Sequence, residues 1–215
     1  MMKVDKLIGQ FLGNNPGFGK GAATGGILGL LLGSKKGRKM TGGTLKYAGL
    51  AAAGVMAWKA YQNWQQGQSP AQATPASGAD LQRLDPRFSP DAPAADGESF
   101  QLALMRAMIG AAKADGHVDA TEQQRIFEQV EQMGLAAEEK ALVFDMLSAP
   151  VALGDIVASA RGPEQAAELY LASRLVIDPD QAAERTYLQA LAHRLNLPAE
   201  LVAHLEKQAE QGMGE

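Results

Sequence analysis

The 215-residue chain has no cysteine at all. That excludes disulfides, thiolate nucleophiles and any cysteine-ligated metal centre. Histidine is scarce, at three residues, and aromatics make up only 6%. His193 and His204 stand too far apart for an HExxH zinc pair and are expected on the surface, and His117 is expected in a solvated turn. No serine sits in an elbow or SxxK setting, so a Ser-His-Asp nucleophile has no support. No alternating β-branched run is present, and therefore no strand is expected. The glycine-rich stretches follow no strand, which excludes a phosphate loop. The N-terminus lacks a clear cleavage site and is a poor cleavable signal peptide.

Acid is the other shortage, and it is local. Residues 1–64 contain eight Lys, one Arg and a single acid, Asp5, although the whole chain carries a net charge of −4. A basic, apolar first part followed by an acidic remainder suits membrane attachment. With no basic stripe interleaved with aromatics in the acidic part, nucleic-acid binding is excluded as a leading reading.

Against these absences stands one abundance. Gly9, Gly13, Gly17, Gly21, Gly25, Gly29, Gly33 and Gly37 recur at every fourth residue. On a helix that spacing forms one ridge, across which another helix can approach backbone to backbone. In water eight helical glycines would cost about 8 kcal/mol relative to alanine, as much as a domain's whole stability. In a bilayer the unpaired backbone would cost more, so a helix is enforced. Gly21, Gly25, Gly29 and Gly33 lie in the uncharged stretch Gly21 to Ser34 and are the expected helix-packing residues, making a homo-oligomer. A second apolar stretch, Thr41 to Trp58, holds only Lys46. The chain is expected either to cross once, at about 41–60, or to form a hairpin with 18–34. Lys35, Lys36, Arg38 and Lys39 between the stretches put that turn inside and the C-terminal part outside by charge count.

Residues 65–98 are rich in Pro, Ala, Gly, Ser and Gln and read as a flexible linker, with Asp80 to Phe88 able to dock. From Ser99 onward apolar residues recur at a helical period. One face carries Phe100, Leu104, Ala107, Met108 and Ala111; another carries Leu142, Val143, Met146 and Leu147. Pro163 and Pro198 stand at helix starts. Residues 99–215 are thus expected to form a compact all-α bundle of about seven helices, separate from the anchor at 1–64. Met105, Met108, Met133 and Met146 fall at core spacing.

Two acidic corners stand out, AAKADGHVDATEQQRIF at 111–127 and ASRLVIDPDQAAERTYL at 172–188. The first matches the back half of an EF-hand calcium loop, from Asp115 through Gly116 to Glu122. The front half fails, because Ala111 and Lys113 stand where ligands belong. If the corners converge, Asp115, Asp119, Glu122, Asp178, Asp180 and Glu184 offer hard oxygen ligands for calcium, magnesium or manganese. Helix capping accounts for the same residues: Asp119 with Glu122 is a capping box, and Asp178 precedes a first-turn proline. Both readings stand at this level. No organic cofactor is implied.

The corner KADGHVDATEQQRI, with its partner IDPDQAAERTYL in a helical domain of this size, resembles the TerB-like domain associated with tellurite resistance. The glycine-rich first part and the Pro/Ala segment resemble the YebE-like branch of bacterial inner-membrane proteins. The resemblance implies a helical bundle with a divalent-metal site, to which Asp115, Glu122, Asp178 and Glu184 would correspond. It also implies a cytoplasmic domain, opposite to the charge count. The function expected is a membrane-anchored, non-enzymatic scaffold or sensor of envelope or metal stress that binds a protein partner. The alternative is a metal-dependent hydrolase using the acidic corners, and a third reading is a glycine-zipper pore with a regulatory domain.

Overall fold

The computed structural model describes residues 48–77, 79–114, 137–177 and 182–211. Seven α-helices form among them: α1 (Ala48–Gln65), α2 (Phe100–Ala112), α3 (Ala137–Ser148), α4 (Leu153–Ala158), α5 (Pro163–Arg174), α6 (Ala182–Arg194) and α7 (Ala199–Gln211). Among the described residues there is no strand; Pro93 and Ser99 form an isolated bridge. The all-α class expected from the periodicity is therefore observed.

Local chemistry explains the helix ends. Ser99 caps α2, its hydroxyl accepting from the Leu102 amide at 3.4 Å. Pro163 begins α5 with its φ already set and no amide to satisfy. Asn196 takes φ +53° after α6, and Leu197 N donates back to Ala192 O at 3.1 Å. The turn to α7 is thereby fixed by one left-handed residue.

α5 is the centre of the body. It packs against α1, α2, α6 and α7, and every residue from Gln165 to Ser173 is buried. Its small residues Ala166, Ala167, Ala172 and Ser173 let four helices come close. The face anticipated on α2 is all buried, whereas on α3 Val143 is buried and Leu142 is 38% exposed.

Two expectations are corrected here. The stretch assigned to a membrane span at about 41–60 runs into α1, which lies in the core of the helical body. Ala53, Val55, Met56, Ala57 and Ala60 are enclosed, and α1 packs along α7 and α5. No helix among the described residues is long and apolar enough to cross a membrane. A helix apolar on all sides suits a protein core and a bilayer equally, so hydropathy alone misassigned it. The helical body therefore includes α1 and does not start at Ser99. Residues 65–77 and 79–98 are likewise not a free linker: they wrap the body through 3₁₀ turns at Pro70–Gln72, Asp80–Arg83 and Pro86–Phe88. Phe88 is buried against Tyr61, with ring centroids 5.5 Å apart.

Candidate functional site

Of the residues expected to hold a metal, Asp115, Asp119, Glu122, Asp178 and Asp180 lie outside the described residues, as do Gly21, Gly25, Gly29 and Gly33. Glu184 is described. It sits in the first turn of α6 and is buried. Among the described residues no group of three or more His, Asp or Glu gathers as a metal site.

The approach to the first corner has its own cation. Lys113, just after α2, sends its ammonium to the end of α3, donating to Met146 O at 2.9 Å, Leu147 O at 2.7 Å and Ala149 O at 2.7 Å. These carbonyls have no helical amide to accept from, and a positive charge there also complements the helix dipole. Partial burial lowers the Lys113 pKa from its usual value. The position where an EF-hand would place an oxygen ligand thus carries a helix cap.

The polar chemistry inside the body was hidden in helical sequence. Glu168, in the middle of α5, is 0% exposed, and neither carboxylate oxygen has a hydrogen-bond partner. Burial raises its pKa well above the ordinary glutamate value. The side chain is packed against α1 at Gly54. A methyl there would collide with the Phe88 carbonyl oxygen and lie 2.9 Å from Glu168 Oε1. Glycine is required at that position by close approach. The sequence signal is that Glu168 shares a helix face with Leu171, Ala172 and Leu175, an acid among core positions.

A second polar group lies between α5 and α7. Tyr170 Oη donates to Glu206 Oε1 at 2.6 Å, and Arg174 Nε donates to Glu206 Oε2 at 2.6 Å. Burial, followed by the Glu206 hydrogen bond and charge, raises the Tyr170 pKa, so the phenol stays neutral. This group closes one end of a groove of about 430 Å³ whose walls are Leu188, Ala192, Leu197 and Val202, with Arg185 at the rim. A neutral tyrosine and a carboxylate saturated by an arginine make a structural clamp rather than an acid–base pair.

His204, expected on the surface, is 2% exposed and bonds Gln68 O through Nε2 at 3.0 Å. With Gln208 and Gln211 it forms a polar stripe along α7 facing residues 68–76. Gln208 donates to Thr74 O at 2.8 Å and accepts from Ala76 N at 2.9 Å. Such a stripe reads backbone, so the bound segment's own sequence gave no apolar signal.

The chain is similar to proteins already known. A curated relative called "Uncharacterized protein in ampR 5'region", from Yersinia enterocolitica, is 33% identical over 104 residues, which is 48% of this chain and 75% of that protein. No solved structure matches the chain. A family model described as a protein of unknown function, DUF533, matches residues 17–209, from the glycine-rich segment into α7, and the chain belongs to that family.

Proposed function

We propose that this protein is a membrane-attached, non-enzymatic scaffold or sensor of envelope or metal stress in a bacterial inner membrane. Its TerB-like helical body binds a protein partner and, at the acidic corners, a divalent cation. The observation that carries the reading is the glycine ridge from Gly9 to Gly37, set in a segment almost without acid. Because α1 belongs to the helical body, the segment left for the bilayer precedes Ala48.

The test is self-association of the full chain in a membrane two-hybrid assay. Replacing Gly25, Gly29 and Gly33 by leucine is expected to reduce the signal at least fivefold while expression holds. An unchanged signal would remove the glycine ridge from the reading. The cation is tested separately, by calcium and manganese titration of the full chain followed by thermal unfolding. A rise in midpoint that Asp115→Asn with Glu122→Gln abolishes is the expected result, and an equal rise in that variant counts against ligation at the first corner.

A further inference from the structure

Residues 68–77 and 79–96 form a strap with a glycine at each end. Gly67 has φ +67° and Gly97 φ +89°, and a side-chain carbon placed on either would meet nothing within 4 Å. Gly67 ends α1 as a left-handed cap, with Gln68 N donating to Asn63 O at 3.0 Å, and Gly97 closes a turn, its amide donating to Ala94 O at 3.2 Å; neither carries a side chain that would obstruct rotation of the strap about these two points. Between them the strap is fastened mainly by polar bonds. α7 holds one end through His204, Gln208 and Gln211. Arg161 and Gln165 hold the other, donating to Ala94 O at 2.9 Å and Pro93 O at 3.1 Å. Phe88, 1% exposed, is the large side chain the strap buries.

What lies under Phe88 is the unusual part. Its carbonyl oxygen and Glu168 Oε1 converge on the same glycine, Gly54. Both Glu168 oxygens are buried and partnerless, so an ionised carboxylate there would be strongly disfavoured. The charged groups on the surrounding elements are engaged elsewhere, while the Tyr187 hydroxyl and His204 Nδ1 are buried without a partner. Glu164, one turn earlier on α5, pairs with Arg87 of the strap. Lys59 on α1 pairs with Asp80 at 3.7 Å, and Tyr61 on α1 stacks edge-on against Phe88. Arg106 on α2 pairs with Glu98 and Asp96, and on α7 Glu206 and His204 have the partners already named. Tyr187 on α6 is partly buried and stays neutral, its pKa raised by that burial. Among the described residues none bonds the Glu168 carboxyl.

We propose that the strap is a proton-coupled cover: it lies closed over Glu168 while that carboxyl keeps its proton, and swings out on Gly67 and Gly97 when the proton leaves. The sign follows from linkage. The closed form holds a proton that the open, solvated carboxyl gives up in the ordinary glutamate range. Opening therefore becomes about tenfold easier per pH unit above that range, until the closed form titrates as well. Opening would uncover the α1–α5 face around Gly54 together with a carboxylate able to accept a donor.

The test is hydrogen exchange of the full chain by mass spectrometry from pH 5 to 9, corrected for intrinsic exchange. Peptides covering 68–96 are expected to lose protection by up to tenfold per pH unit while those of α2 and α5 keep theirs. In Glu168→Gln the strap's protection should be flat with pH, and at pH 8 at least tenfold above wild type. A flat wild-type profile, the wild-type slope persisting in Glu168→Gln, or loss of α5 protection in step with the strap would each overturn the proposal. Gln208→Leu, which frees the far end of the strap, should lower protection at every pH and keep the slope; a lost slope there would also overturn it.

Discussion

At the scale of single residues, the body depends on one pair across α1 and α5. Gly54→Ala would drive a methyl into the Phe88 carbonyl, a backbone atom, and against Glu168 Oε1. Overpacking of this kind costs typically about 1–3 kcal/mol, and the expected outcome lies at the upper end because the obstructing atom is main chain. A urea-unfolding midpoint that does not move would mean the strap yields. Glu168 makes its own prediction. The native state holds a proton that the unfolded chain releases, so the unfolded state binds fewer protons above the ordinary glutamate range. Stability then falls as pH rises from that range toward the raised native value. Urea midpoints are expected to decrease from pH 5 to pH 8 in wild type and to decrease less in Glu168→Gln. Neither residue could be recognised from the sequence as special. A glutamate on an apolar helix face is legible, but its lack of a partner depends on which helices surround it.

At the scale of elements, the helices were legible and their neighbours were not. Period and proline placement located α2 and α5 to α7, because an apolar stripe must be buried whatever covers it. The strap was read as a linker because its order comes from side chains more than 130 positions away, Gln208 reaching Thr74 and Ala76. Backbone recognition by glutamine leaves no periodicity in the segment recognised. Lys113 is similar. As a basic residue after α2 it was noted for failing an EF-hand pattern, and its role is to cap α3 across 33 to 36 residues. Lys113→Met keeps the stem and removes the three donors. Hydrogen bonds from charged groups contribute about 1.5–3 kcal/mol, so destabilisation near 2 kcal/mol is expected, with faster amide exchange concentrated in α3. Exchange spread evenly over the body would show that Lys113 acts on global stability rather than on that helix end.

At the scale of the molecule, placing α1 inside the helical body narrows the part of the chain left for a membrane. α1 is a core helix, packed against α5 and α7. The candidate for membrane contact shrinks to the residues before Ala48, whose uncharged stretch from Gly21 to Ser34 is 14 residues long. As a helix that stretch measures about 21 Å, shorter than the hydrocarbon core of roughly 30 Å. Reaching across would require neighbouring residues such as Phe18 and Gly19, with Lys20 and Lys35 at the interfaces, and close pairing along the glycine ridge would help to satisfy such a short helix. This makes a clean division testable by truncation. A chain beginning at Ala48 retains every helix of the described core, so it is expected to unfold cooperatively, within about 1 kcal/mol of the full chain, and to remain in the supernatant when membranes are pelleted. The full chain is expected in the pellet and to resist carbonate extraction. If the truncated chain also pellets, membrane contact resides in the helical body and the glycine ridge needs another explanation. If it loses cooperative unfolding, residues before Ala48 contribute to the core, and the glycines would be packing against this body rather than against lipid-embedded copies of themselves.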